Sequence, residues 1–289
     1  MSKPPHPAAS VASNLPRLYG FRFLRDFLLI MPAIVPVYRS CGLDATGILL
    51  VQAVFSAASL VFEIPSGYFA DVMGRRRGLL TGAVLMALGM AAYGVASRFW
   101  WFALAEIVLA AGYSLFSGTE SALLFDSLAS TEQDSRYRKL EGRSEALTRL
   151  GTATAAILGG LLAGLFLRLP FWANAGTASL MFIIAFGLVE PPREKLTGKT
   201  PFRDILRISR ESMGDRDLLP SMVLSSTLFV TGVIGIWGCF LRLAGAGVSV
   251  FSYGVYFAVF QAASALGAAS SDRLARALGV RGSYGLLGL

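Results

Sequence analysis

Residues 67–77 read Gly67-Tyr68-Phe69-Ala70-Asp71-Val72-Met73-Gly74-Arg75-Arg76-Arg77. An apolar run precedes them, and residues 78–97 follow without a single Asp, Glu, Lys or Arg. A tight arginine-rich loop between two apolar runs is the pattern of a turn at a membrane face. Further charge-free stretches lie at 150–167, 169–189, 218–241 and 243–271. Each approaches or exceeds the ~20 residues that an α-helix needs to cross a bilayer.

Composition agrees with that reading. The 289 residues are 54% hydrophobic and only 15% charged, with mean hydropathy +0.60. A soluble domain carries about 25% charged residues, so this chain has too little charge to cover a water-exposed surface. The expected fold class is an all-α polytopic membrane protein. Its spans are expected at about 18–38, 46–70, 78–97, 100–125, 146–167, 171–189, 219–242 and 251–271. Residues 1–17, rich in Pro, Ala and Ser and lacking an apolar core, read as a tail rather than a cleavable leader.

The net charge of +8 is topological. The short connections carry Arg39, Arg98, Arg168 and Arg242, one each, while the alternate face collects Arg75, Arg76, Arg77, Arg136, Arg138, Lys139 and the many bases of 190–218. By the positive-inside rule the basic face is cytoplasmic, as are both termini. The expected location is the cytoplasmic (inner) membrane, and nucleic acid is not expected as a partner. The single histidine, His6, offers no metal site or histidine-based triad. No phosphate-binding GxxxxGK(S/T) is present, and no catalytic set is visible. Neither an enzyme nor a cofactor is expected. Cys41 and Cys239 read as free thiols.

The loop at 67–77 resembles the GxxxD(R/K)xGR(R/K) signature of the major facilitator superfamily, in Gly67, Asp71, Gly74, Arg75 and Arg76. Val72 stands where the family often has a basic residue. Gly67 is expected to allow two helices to cross closely, Asp71 to close one helix and Gly74 to turn the chain. The preceding Phe62-Glu63-Ile64-Pro65-Ser66-Gly67 and the later Ser117-Gly118-Thr119-Glu120-Ser121-Ala122-Leu123-Leu124-Phe125-Asp126 resemble bacterial drug-exporter-like members. That resemblance implies a complete six-helix N-terminal half at 18–189 and a cytoplasmic linker at 190–218. A partial second bundle of two spans and the start of a third follows at 219–289. It further implies an inner-gate pairing of Asp126 with Arg75, and secondary transport of small organic molecules by alternating access. Proton-coupled export is the form expected, with small-molecule substrate, protons and membrane lipids as partners. A fainter echo of the signature runs from Gly267 through Asp272-Arg273 to Gly279. The final residues, 282–289, look like a ninth span cut short. The chain is therefore expected to be a fragment whose remaining helices come from a missing C-terminal portion or a partner. A non-transporting fragment, or a receptor or scaffold using the 190–218 loop, are the alternatives.

Ionisable residues inside a membrane are costly and mark function. Arg22, Arg25 and Asp26 fall in the first expected span, Glu63 in the second, and Glu106 and Glu120 in the fourth. At 1.5 Å per residue, Asp26, Glu63 and Glu120 lie roughly 8–12 Å from the cytoplasmic ends of their spans, while Glu106 lies nearer the other face. Arg22, Arg25, Asp26, Glu63 and Glu120 are thus expected to share one layer, either a proton-coupling network or a static, mutually neutralised seal. Gly151, Gly159, Gly160 and Gly164 suit tight helix packing and also resemble the glycine-rich fifth span of antiporters. Trp237, Phe240, Tyr253, Tyr256 and Phe257 line a substrate path or face lipid and neighbouring helices. Phe202, Ile205, Leu206 and Ile208 read as a short surface helix or as a plain linker turn.

Overall fold

A computed structural model describes residues 13–130, 133, 137–191 and 218–266. The readings placed on Phe202, Ile205, Leu206 and Ile208, on Gly267, Asp272, Arg273 and Gly279, and on the last residues of the chain lie outside the described residues. Within them every regular element is a helix: α1 (Asn14–Arg25), α2 (Ile34–Ser40), α3 (Ala45–Met73), α4 (Arg75–Val95), α5 (Phe99–Phe116), α6 (Thr119–Ala129), α7 (Tyr137–Leu165), α8 (Leu169–Phe186), α9 (Leu218–Gly245) and α10 (Val250–Leu266).

Length and apolarity suffice for crossing a membrane in α3, α4, the α5–α6 segment Phe99–Ala129, Leu140–Leu165 of α7, and α8. Their outward faces carry apolar side chains such as Leu60 and Leu165, 77% and 81% exposed. In lipid that exposure is a requirement rather than a cost. Asp44 starts α3 by accepting the Gly47 amide at 2.7 Å, which satisfies one of the orphan donors of a helix N-terminus. Gly74, at φ +112°, then reverses the chain directly into α4, a backbone state that glycine adopts without a steric penalty.

Two spans expected to be continuous are broken. The first, 18–38, is divided into α1 and α2 by an irregular stretch at 26–33. Pro32 disfavours helical geometry at Met31, and the backbone freed by the break is bonded by side chains from other helices. Ile30 N donates to Asn174 Oδ1 at 3.1 Å, Asn174 Nδ2 donates to Phe27 O at 2.8 Å, and Thr152 Oγ1 donates to Asp26 O at 3.1 Å. Irregular backbone is tolerated at membrane depth only where protein satisfies it in this way. The second break divides 100–125 at Ser117–Gly118, where Gly118 takes φ +69°. The fifth span also starts earlier than expected, at Tyr137 rather than about residue 146.

Helix α4 packs against both α5 and α8, and α3 lies along α5. Buried rings fill this core. Phe21 meets Phe116 edge-on at 5.2 Å, and Tyr93 stacks on Phe171 at 5.4 Å. Helix α7 approaches its neighbours too closely for side chains at two glycines. A β-carbon on Gly159 would strike the Leu29 carbonyl, and one on Gly254 of α10 would strike that of Ala156. Phe240 of α9 is buried against Trp237 of the same helix and against Tyr253 and Phe257 of α10, so these aromatics pack neighbouring helices together.

Candidate functional site

The two breaks meet. Helix α1 ends with Arg22 and Arg25 in its last turn, and α6 begins with Glu120 in its first. Cations suit the negative end of a helix dipole and carboxylates the positive end. Each break therefore presents the charge that its own backbone favours, and the two charges face one another. Arg25 Nη1 donates to Glu120 Oε2 at 2.7 Å, and Arg22 Nε lies 3.2 Å from the same oxygen. Arg25 also holds Asp26, through Nη2 at 2.5 Å and Nε at 3.1 Å. Arg22 reaches Glu141 of α7 at 2.7 Å and Ser121 at 2.9 Å. Three carboxylates thus face two guanidiniums. Glu120 is 2% exposed, and its Oε1 is buried without a hydrogen-bond partner among the described residues.

The side chains expected in one layer do not all join it. Arg22, Arg25, Asp26 and Glu120 come together, although Arg22 and Asp26, which share a helical face by spacing, pair with other groups rather than each other. Glu63 makes no ion pair with either arginine. It is exposed on α3 and accepts a hydrogen bond from Ser117 Oγ at 2.7 Å, across the second break. It does share a cavity with Arg25 and Asp26. That cavity, of about 340 Å³, is lined on its other sides by Phe55, Tyr113 and Phe116. A smaller one of about 150 Å³ opens behind it on Arg22, Glu120 and Glu141.

At the loop end, Arg75 Nη1 donates to Asp126 Oδ2. Glu190, just beyond α8, accepts the backbone amides of Arg75 and Arg76 at 2.9 and 2.8 Å. It caps the N-terminus of α4, and a carboxylate there is favoured by both the free amides and the helix dipole. Arg76 Nη2 donates to Phe186 O at 2.6 Å, with its guanidinium 5.1 Å above the Phe186 ring. Asp71 sits half-buried in the last turn of α3. Gly67 departs from the reading given to it. It is exposed, nothing described lies within 4 Å of a β-carbon built on it, and so no helix crosses there among the described residues.

Sequence reasoning missed Glu141, Ser121 and Glu190. Glu141 falls in a stretch read as loop, yet it stands four residues before Glu145 and seven before Thr148, which line the same small cavity, and helical spacing could have found it. Glu190 had a weaker signal, a lone acid after a charge-free span.

Together these features define a polytopic helical membrane protein with a charged, partly hollow centre built on interrupted helices. The chain belongs to the Major Facilitator Superfamily, whose model matches residues 19–289. It is 30% identical over 171 residues to multidrug resistance protein Stp of Mycobacterium tuberculosis (strain CDC 1551 / Oshkosh), covering 59% of this chain and 31% of that protein. Multidrug resistance protein MdtH of Cronobacter sakazakii (strain ATCC BAA-894) is 28% identical over 61% of this chain and 39% of its own length. Quinolone resistance protein NorA of Staphylococcus aureus (strain Mu50 / ATCC 700699) is 22% identical over 58% and 42%. The chain therefore spans well under half the length of these curated relatives. Among solved structures, a D-xylose-proton symporter matches with TM-score 0.61 and 16% identity, over 91% of this chain and 69% of that one. At that identity the likeness is one of fold.

Proposed function

We propose that this chain forms the substrate-binding part of a secondary transporter exporting small organic molecules by alternating access, driven by protons and seated in the cytoplasmic membrane with its Arg75–Arg77 face inward. The observation that carries the reading is the meeting of two helix breaks on Arg22, Arg25, Asp26 and Glu120 beside a cavity of about 340 Å³. Interrupted helices with charged ends at mid-membrane are how transporters build binding sites. A buried Glu120 with one oxygen free gives a proton or a substrate donor somewhere to bind. The aromatic lining of Phe55, Tyr113 and Phe116 suits an amphipathic solute. Names of the relatives, multidrug and quinolone resistance proteins, support the same class of cargo.

On this reading the Arg75–Asp126 pair and the Glu190 cap latch the inward end closed, and opening that end requires both contacts to part. Asp26 and Glu120 lose charge on protonation, which loosens their hold on Arg25 and lets the two broken helices separate. The test is flux of amphipathic fluorescent dyes from proteoliposomes containing the full chain under an imposed pH gradient. Wild type drives export, and Glu120→Gln and Asp26→Asn still bind dye but lose the gradient-driven component. Gradient-driven flux at the wild-type level in both variants ends the coupling role. No flux from wild type ends the transport reading for this chain.

A further inference from the structure

A second acid lies away from that site. Glu106 stands seven residues into α5, roughly 20 Å from Glu120 along the α5–α6 segment at 1.5 Å per residue. It is 4% exposed. Three other helices converge on its Oε1: Tyr93 of α4 donates to it, Tyr38 of α2 lies at 3.3 Å and Gln52 of α3 donates at 3.0 Å. Tyr93 spends its one hydroxyl proton on Glu106, so Tyr38 donates to Tyr93, at 2.6 Å, and Gln52 Nε2 donates to Tyr38 Oη at 3.0 Å. No hydrogen bond among the described residues falls on Oε2.

The contrast with Glu120 is one of charge. Glu120 sits between two guanidiniums, whereas every donor to Glu106 is neutral. The charged groups at this end are Arg39, Asp44, Arg98, Arg168 and Arg242, on or beside the connections, and Asp44 caps α3. Arg168 spends its Nη1 on the Gly94 and Ala96 carbonyls at 3.1 and 2.7 Å, and its Nη2 lies 3.3 Å from Cys41 Sγ. Helix α8 contributes Phe171, stacked on Tyr93, with no titratable group at the contact. A carboxylate desolvated to this degree without a cation is costly, and it is relieved either by strong donors or by a proton.

We propose that Glu106 is a proton-binding site separate from the Arg22–Arg25 layer, taking a proton on Oε2 while Oε1 stays held by Tyr93 and Gln52, with Tyr38 bonded behind Tyr93. One proton from water converts the carboxylate to the neutral acid, and its release to water restores the charge. Tyr93 and Gln52 stabilise the charged form directly, and Tyr38 strengthens Tyr93 as a donor by bonding to its oxygen, so proton affinity depends on all three being in place. Each donor rides a different helix, and Tyr38 rides the far half of the interrupted first span. Any rearrangement that carries α2 away from α5 removes the bond by which Tyr38 polarises Tyr93, weakens the hold on Oε1 and favours the proton. The site thus couples proton occupancy to the position of α2, and this holds whether or not the chain exports dyes.

Infrared difference spectroscopy of the full chain in lipid nanodiscs, across a pH series, reads the bound proton directly. The carboxylic-acid C=O absorption that grows on acidification is expected to lose one component in Glu106→Gln, over the background from Asp26, Glu120 and the other acids that both proteins share. A wild-type-minus-variant difference with no such component overturns the proposal. Tyr93→Phe and Gln52→Leu keep the acid, remove one donor each and guard against loss of folding in Glu106→Gln. Both are expected to raise the midpoint of the band by about one pH unit, the equivalent of one hydrogen bond to a charged acceptor. An unmoved midpoint in both means a fixed polar knot and overturns the proposal equally.

Discussion

Glu120 and Glu145 are both paired with arginine, but only one pair carries weight. Glu120 is 2% exposed between Arg22 and Arg25, whereas the Glu145 and Arg149 side chains are 57% and 50% exposed. Removing Glu120 takes one buried contact from each arginine while Arg22 keeps Glu141 and Arg25 keeps Asp26, at a cost near the lower end of the about 3–5 kcal/mol for a broken buried pair. An exposed pair at i,i+4 spacing is worth less than about 1 kcal/mol. Glu120→Leu should therefore lower resistance to denaturant unfolding in detergent by about 3 kcal/mol, and Glu145→Leu should leave it nearly unchanged. Equal losses in the two variants would mean that the Arg22–Arg25–Glu120 cluster is solvated. Glu190 acts on backbone, through the amides of Arg75 and Arg76. Glu190→Gln keeps an acceptor but loses the charge that the helix end favours, for about 1 kcal/mol. Faster hydrogen exchange confined to those two amides is the expected signature. Unchanged exchange there would remove Glu190 as the cap of α4.

The glycines of α7 look alike in the sequence and behave differently as parts of a packed helix. Gly159 lies against the Leu29 carbonyl in the broken stretch of the first span, while a β-carbon on Gly164 would meet nothing within 4 Å. Gly159→Ala should push α7 off that stretch and pull Thr152 away from Asp26, lowering the melting temperature. Gly164→Ala should raise it slightly, because alanine is better than glycine within a helix by about 1 kcal/mol. A thermal shift of the same sign in both variants would contradict this packing. The pattern also marks what the sequence can convey. Charge-free runs made α3, α4 and α8 legible, because hydropathy is local and bilayer thickness fixes its length scale. The breaks at 26–33 and Ser117–Gly118 were not legible, although Pro32 and Gly118 stood in view. Whether a span tolerates an interruption depends on side chains such as Asn174 and Thr152, more than a hundred residues away, that bond the freed backbone. Arg25, Asp26 and Glu120 were legible as a group because charge is scarce in these helices. Glu63 was assigned to the layer by depth alone, and depth does not say which way a helix face turns.

At the scale of the molecule, the two ends of the helical bundle differ in charge and in how they are tied. One end gathers Arg75, Arg76 and Arg77 with Asp126 and Glu190, and Asn14 joins it by exchanging two hydrogen bonds with the Val189 backbone, at 2.7 and 2.9 Å. The other end has single arginines, of which Arg168 ties the carbonyls at the end of α4 to the loop bearing Cys41. In the proposed orientation, with the richer basic face in the cytoplasm, Asn14 and the Gly74 turn lie on the inside and the 96–98 connection on the outside. Met73 and Ser97, both exposed, mark the two ends. In a background with Cys41→Ser and Cys239→Ser, Ser97→Cys should react with a membrane-impermeant maleimide on intact cells. Met73→Cys should react only after the membrane is opened. The reverse pattern would invert the orientation and move the Arg75–Asp126 latch to the outer face. Exporting and importing directions would then exchange roles for the cavity beside Arg25, and Glu106 would lie on the cytoplasmic side of it.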